Sequence, residues 1–524
     1  MAAGYIRGIQ ANGVSACPKH FAANNTELRR MASNSVMDER TLREIYLTNF
    51  EIAVREGHPK SIMSSYNMVN GTYANENAHL LQEILRDTWG FDGFVVSDWG
   101  ANNDFTEGVR AGSHLEMPGT GGDGPRQLMQ AVAEGKITEA EVDKRVDELL
   151  DVMLATRKAV DPLKGKGFDK EAHHAFAQKA SEQSIVLLKN EGNILPINKN
   201  AKVSLVGSLA DNKEEIIGAW AMSWQEKDCV TILEGMKTEF PNVEYFPCGG
   251  PEGDLNMDQI IKAGDYGDVI VAVLGELVSM SGEASSRADI TIPGRQRELL
   301  EMLLTTGKPV VLVLMNGRPL ALDWEEKYVP AIVEAWHLGI QMGPAVAHVL
   351  SGTVNPEGKL SSSFPAFTGQ CPVYYNHPNT GRPGSKSKFT SRYLDAPLGA
   401  LYPFGYGLSY TTFAYSDLKV EDKDSVIEAS VTLTNTGDRA GKETVQFYMQ
   451  DVTASLVRPV KELKGFEKVC LEPGESKTVC FWLEKKDMGF WNNEHVYCLE
   501  DGVFRFYAGG SSGDCLMAEA EITF

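Results

Sequence analysis

Over the first 160 residues, short apolar runs alternate with longer segments in which apolar residues recur with helical spacing. Residues 14–19, 61–65, 94–98 and 114–117 read as short strands. Residues 39–56, 77–88 and 103–111 lie between them and read as helices, with two further helices over 124–134 and 138–158. Repeated strand–helix units predict a parallel sheet or a barrel. Four strand candidates are half of what a closed (β/α)8 barrel contains. The segment therefore reads as an open sheet or as the later part of a barrel. A linker rich in Lys and Gly follows over 161–169, and a helix is expected over 170–189.

A second series of apolar runs covers residues 203–207, 243–246, 269–275, 310–315 and 331–335, with helices over 295–305 and 342–350. These runs show little polar alternation, which predicts a sheet covered on both faces, as in a doubly wound layer sandwich. From 356 to 411 the chain is irregular and rich in Gly, Pro, Asn and Tyr. It reads as a long surface connection wrapping another domain. After Phe413 the period changes to two, in SVIEASVTLTNTG, ETVQFYMQD, KTVCFWLEK and GVFRFYAGG. Alternating runs between turn residues predict a β-sandwich.

Composition narrows the function more by exclusion than by indication. The chain has 524 residues and a formal net charge of −21. That balance disfavours nucleic acid and anionic membranes, which are bound through basic patches. No apolar run approaches the ~18–20 residues that span a bilayer. The opening residues lack a basic stretch followed by an apolar one, so no signal peptide is read, and the compartment stays open between cytoplasm and periplasm or exterior. Eight cysteines in a chain of this length do not make a disulfide scaffold, and the four between Cys470 and Cys515 are expected as reduced, buried thiols.

The candidate chemistry collects at strand ends. Asp98 closes the run Phe94–Val95–Val96–Ser97 and precedes Trp99 and Gly100. C-terminal strand ends carry function in parallel α/β architectures, although a strand-end Asp also serves to cap the next helix. Lys19 and His20 sit at the end of the first strand candidate, and Tyr66 and Asn67 just after the second. One rim would thus gather Lys, His, Tyr, Asn and Asp. Cys17 and His20 form half of a metal pattern at most, and no metal or cofactor is expected. Glu283 lies in a Ser- and Gly-rich loop after the 269–275 run, with Glu276 competing for its role and Arg287 near enough to make it an ordinary surface pair. Two carboxylates at one sugar would suit glycoside hydrolysis, one attacking the anomeric carbon or activating water and the other protonating the leaving oxygen. GTGGDG over 119–124 lacks the Lys-Ser/Thr of a phosphate loop, and no G-x-S-x-G elbow occurs.

The motifs KHFAANN, SSYNMVNGTYANEN, LRDTWGFDGFVVSDWGA, AGSHLEMPG, SIVLLKNEGNILPI, GEASSRADITIPGRQ, NPEGKLSSSFP and YPFGYGLSYTTF occur in this order and span nearly the whole chain. Together they resemble family-3 glycoside hydrolases, in their β-glucosidase branch. The resemblance implies an α/β protein with a partial (β/α)8 barrel, then an α/β layer sandwich, then a C-terminal fibronectin-III-like β-sandwich. The expected boundaries are 1–160 for the barrel part and 161–200 for a linker and leading helix. The sandwich is expected over 201–375, an irregular connection over 376–412 and the β-sandwich over 413–524.

The resemblance also implies a retaining, exo-acting β-glucosidase. Asp98 matches the nucleophile and Glu283 the acid/base. Lys19 and His20 match the pair that binds sugar hydroxyls, Tyr66 the tyrosine beside the nucleophile, and Met63 and Trp99 the apolar walls of the glucose subsite. The expected partner is a small β-glucoside or cello-oligosaccharide. Relative to the family, a stretch with the early barrel strands, an aspartate and an arginine would precede Met1, so an N-terminally truncated, catalytically impaired fragment is the alternative reading. It would form a homo-oligomer or associate with a missing N-terminal half. A third reading keeps the chemistry and changes the sugar to a β-xyloside or α-arabinoside.

Overall fold

The computed structural model describes residues 1–165 and 167–524. The chain divides into two compact units: Met1–Phe168 with Gly489–Cys498, and Asp169–Met488 with Leu499–Phe524.

In the first unit, strands β1 (Ser61–Met63) and β2 (Phe94–Val96) pair in parallel. Single-residue bridges extend the array on both sides, Phe21 to Ser64 and Val96 to Leu115, both parallel. The ladder continues through Met63 N–H donating to Pro18 O (3.1 Å), Ser64 N–H to Val96 O (2.9 Å) and Ser97 N–H to Leu115 O (2.9 Å). The four segments expected as strands therefore lie side by side in chain order. The outer two are extended backbone joined to their neighbours through one bridge each rather than strands. The intervening helices run Glu39–Thr41, Leu42–Leu47 and Thr48–Gly57 without a break, then His79–Thr88, then Phe105–Ala111. Leu80, Leu81, Ile84 and Leu85 of the His79–Thr88 helix are fully buried against Phe21, Phe50 and Trp89. Each such side chain contributes about 1.5–3 kcal/mol of burial free energy. Behind β2, the Val95 N–H donates to His114 Nδ1 (3.1 Å), so His114 presents Nε2–H to Glu148 Oε2 (2.7 Å). Burial lowers the His114 pKa, which favours that neutral form.

The second unit holds a six-stranded sheet, built from β3 (Val186–Asn190), β4 (Val203–Val206), β5 (Val243–Phe246), β6 (Val269–Gly275), β7 (Val310–Met315) and β8 (Ala331–Glu334). The spatial order is β3-β8-β7-β6-β4-β5, parallel throughout except for β3 against β8. Side-chain parity splits each strand between two cores. Val271, Val273, Val311 and Val313 pack with helices Ile232–Glu239 and Met342–Ser351 on one face. Ile270, Ala272, Leu312 and Leu314 pack with helices Met257–Tyr266 and Gln296–Thr305 on the other. Every residue of β6 and β7 is buried, as the unbroken apolar runs predicted.

One expectation fails here. The helix expected over 170–189 ends at Ser184, and Val186–Asn190 is an edge strand instead. The β-branched pair Ile185–Val186 favours extended backbone, and Leu187 and Leu188 serve the sheet's two faces. The irregular connection then covers that edge. Leu408 N–H donates to Leu187 O (2.8 Å), and the Tyr406 hydroxyl donates to Leu188 O (3.1 Å).

The C-terminal β-sandwich has a three-stranded sheet of β9 (Phe413–Lys423), β10 (Val426–Asn435) and β13 (Ser476–Glu484). Its four-stranded partner holds β11 (Gly441–Asp451), β12 (Glu462–Leu471), β14 (Gly502–Ser511) and β15 (Asp514–Ile522). The cysteines expected as buried thiols here are free but not buried. Cys470 is exposed and Cys480 and Cys515 are half-buried, at positions of the sandwich strands that do not face its core, and Cys498, which ends a two-residue strand of the first unit, is half-buried too.

Candidate active site

The rim of the first unit forms where the chain leaves each of its parallel segments. Val95 and Val96 are buried, and Ser97 hydrogen-bonds across to the 115–117 segment, so the chain must leave the sheet at Asp98. Asp98 is only 5% exposed. Its Oδ1 accepts the Trp99 N–H (2.8 Å), which fixes the carboxylate. Its Oδ2 is buried and accepts no hydrogen bond among the described residues. His20 Nε2 lies 3.7 Å from that oxygen. Tyr66 is buried, and its hydroxyl donates to Trp99 O (3.2 Å). Met63, the last residue of β1, is half-buried opposite Val96. Lys19 and Trp99 are exposed. The fold thus brings Asp98, His20, Tyr66 and Trp99 together, with Lys19 and Met63 beside them in sequence and register.

A supporting network lies beneath. Asn75 Nδ2 donates to Asn102 Oδ1 (3.0 Å), and Ser64 and Ser113 both donate to Asn75 Oδ1. Glu76 Oε1 accepts the N–H groups of Asn103 (2.8 Å) and Asp104 (2.7 Å). Burial nevertheless raises the Glu76 pKa. Asp104 in turn caps the Phe105–Ala111 helix through Thr106 and Glu107 N–H. The loop after Asp98 is therefore held at both ends. Sequence reasoning missed Arg30, whose guanidinium sits 4.7 Å above the Tyr66 ring. The only signal was the Arg29–Arg30 pair shortly after KHFAANN.

Glu283 belongs to the second unit and is exposed on the loop that follows β6. That loop leaves the sheet at Gly275, where a Cβ would lie 1.9 Å from Met315 O, so no other residue fits. Glu276, the competing candidate, is placed differently. It is 0% exposed, with Arg287 Nη1 at 2.6 Å and Arg318 Nε at 3.0 Å from its Oε1. Arg318 also donates through Nη2 to Ser285 O (2.8 Å) and to Met280 O. Glu276 and Arg318 thereby anchor the loop on both sides of Glu283. Ala219 and Trp220 approach this loop closely: a Cβ on Gly282 would come within 2.7 Å of the Ala219 Cβ. Trp220 is exposed, as are Met222 and Trp224 just after it in the chain, and the sequence reading did not single them out.

Comparison with known proteins decides the family. Residues 1–152 match the glycosyl hydrolase family 3 N-terminal domain, 185–410 its C-terminal domain, and 443–512 a fibronectin type III-like domain. A relative from Acetivibrio thermocellus, thermostable beta-glucosidase B, is 40% identical over 99% of this chain and 70% of its own length. The chain belongs to glycoside hydrolase family 3. Another relative, the exo-alpha-(1->6)-L-arabinopyranosidase of Bifidobacterium longum, is 35% identical over 98% of this chain and 70% of its own. The crystal structure of a beta-glucosidase from Listeria innocua in complex with isofagomine superposes with a TM-score of 0.93 at 36% identity. That match covers 99% of this chain and 78% of the other. The family membership makes this chain a glycoside hydrolase with the three-part architecture described. No helix among the described residues is long and apolar enough to cross a membrane.

Proposed function

We propose that this family-3 chain is a retaining, exo-acting β-glucosidase that releases glucose from the non-reducing end of β-D-glucosides. The observation that carries the reading is the Asp98 carboxylate, with one oxygen pinned by Trp99 N–H and the other buried, without a hydrogen-bond partner among the described residues and 3.7 Å from His20 Nε2. A carboxylate so held keeps one lone pair available for attack. In the first step Asp98 Oδ2 bonds to the anomeric carbon. The bond from that carbon to the glycosidic oxygen breaks, and the proton of the Glu283 carboxyl group passes to the leaving oxygen. In the second step water attacks the same carbon, gives its proton to Glu283 and displaces Asp98. Lys19 and His20 would hold sugar hydroxyls, and Tyr66, Met63 and Trp99 would shape the ring's surroundings.

Trapping with a 2-deoxy-2-fluoro-β-glucoside tests the assignment. Peptide mapping of the inactivated protein should place the fluoroglucosyl group on Asp98, and a label on any other carboxylate would refute the reading. Azide should restore turnover of an activated aryl glucoside to Glu283→Ala as a glucosyl azide product. The arabinopyranosidase relative favours one second reading, the same chemistry on α-arabinosides or β-xylosides. Parallel assays of the 524-residue chain on aryl β-glucoside, β-xyloside and α-arabinoside separate the readings, and absence of turnover on all three would support the impaired-fragment reading.

A further inference from the structure

The second unit contains a cleft of about 710 Å³ between the irregular connection and the β-sandwich. Its volume lies within the ~300–1,000 Å³ of small-molecule sites. Two tyrosines, Tyr374 and Tyr393, line it and stay 63% and 54% exposed. Exposed rings in a concave site offer flat faces for a ligand ring. The floor is rigid. Tyr375 stacks on Phe404 with centroids 4.5 Å apart, and its hydroxyl accepts the Leu463 N–H (3.2 Å).

The charges are what distinguish the cleft. Arg392, Lys461 and His377 line it, and among the described residues no Asp or Glu does. Lys461 Nζ is steadied by Ser512 O (2.6 Å) and by the Tyr507 ring (4.4 Å). Arg392 donates through Nε to Tyr393 O (2.8 Å) and through Nη1 to Ser385 O (3.3 Å). Neither cation has a carboxylate within 4.0 Å among the described residues. In a chain of net charge −21, two cations held by neutral carbonyls beside open tyrosine faces are a site arranged for an anion.

We propose that this cleft binds a ring ligand bearing a carboxylate, the ring on Tyr374 and Tyr393 and the carboxylate between Arg392 and Lys461. A uronic-acid-substituted oligosaccharide and a phenolic carboxylate share this chemistry. None of its lining residues is among those assigned to hydrolysis, and the proposal does not depend on that assignment.

Calorimetric titration of the full chain at low salt tests it, with three probes: a glucuronic-acid-substituted xylo-oligosaccharide, neutral xylotriose and p-coumarate. At least one carboxylated probe should bind roughly tenfold or more tightly than xylotriose, weakening as salt rises. Tighter binding of the uronate probe assigns a sugar acid, and tighter binding of p-coumarate assigns a phenolic acid. Arg392→Gln and Tyr374→Ala should each weaken that binding about tenfold while leaving aryl-glucoside turnover unchanged. Equal affinity for xylotriose, no binding of either acid, or binding untouched by both substitutions would overturn the proposal.

Discussion

Arg318→Ala tests whether the Glu283 loop works because Glu276 and Arg318 hold it. The substitution removes the hydrogen bonds to Ser285 O and Met280 O on either side of Glu283. It also leaves the fully buried Glu276 carboxylate with Arg287 and the longer Gly317 N–H contact (3.4 Å). Hydrogen bonds from a charged donor are worth about 1.5–3 kcal/mol each. Water replaces part of that on a surface loop, so about 3 kcal/mol is a fair net cost of releasing it. At about 1.36 kcal/mol per decade of rate, this corresponds to about a hundredfold fall in kcat/KM if the ordered loop is needed to protonate the leaving oxygen. The loss should depend on the leaving group. In cellobiose the leaving group is the 4-oxygen of the second glucose, a poor leaving group as an alkoxide that needs the proton, so this substrate should lose about 100-fold. A 2,4-dinitrophenyl glucoside needs none and should lose less than about fivefold. Arg318→Lys should recover little, because an ammonium group cannot span carboxylate and carbonyls as the planar guanidinium does. Circular dichroism establishes that the variant is folded. Equal losses on the two substrates, or less than about tenfold on cellobiose, would refute the reasoning.

Three further outcomes are expected from the same geometry. Tyr66→Phe deletes the 3.2 Å bond to Trp99 O and should cost about 0.5–1.5 kcal/mol, read as a fall in aryl-glucoside kcat of up to about tenfold. Leu312→Ala empties a fully buried position of the central strand β7 and should destabilise by about 2–5 kcal/mol in urea unfolding, with an unchanged m-value. His79 bonds Glu39 (3.0 Å) and Glu83 (2.7 Å), and these partners raise its pKa to about 9, while the His79 bond holds Glu39 down to about 2. The folded state thus favours the imidazolium and the carboxylate. Their contribution is full between the unfolded values of 4.5 and 6.5, is lost as pH rises through about 9, and is lost on the acid side as pH falls toward about 2. His79 is 41% exposed, so the effect is a Tm gap to His79→Gln that should be widest near pH ~6 and close by about pH 10. A gap independent of pH would contradict this.

The rim is legible in the sequence because its logic is local. Buried β-branched runs must leave the sheet where Asp98, Tyr66 and the Lys19–His20 pair come next, and strand ends of a parallel array share one edge. The two cores of the second sheet are equally legible from runs with no polar residue. The features that stay hidden depend on distant partners. Adjacency suggests Arg287 for Glu283, but Arg287 turns to Glu276, and the other guanidinium on Glu276 comes from Arg318 on a different loop. Strands β9, β12 and β15 carry charges such as Glu421, Lys468 and Glu519 on open faces, which blurs the alternation that reveals β10, β11, β13 and β14. The 186–190 strand reads as helix because its apolar residues serve both faces of an edge and so lack a period of two.

That edge strand has a consequence for biosynthesis. β3 emerges early, yet its sheet partner β8 lies some 140 residues later and its other neighbour, Leu408, later still. At about 5–20 residues per second, a ribosome needs roughly 7–30 s before the first partner exists. During that time Val186, Leu187 and Leu188 have no native neighbour on either flank. Nascent chains that stall before residue 334 would display an apolar β-edge, which makes them natural clients of ribosome-associated holdases.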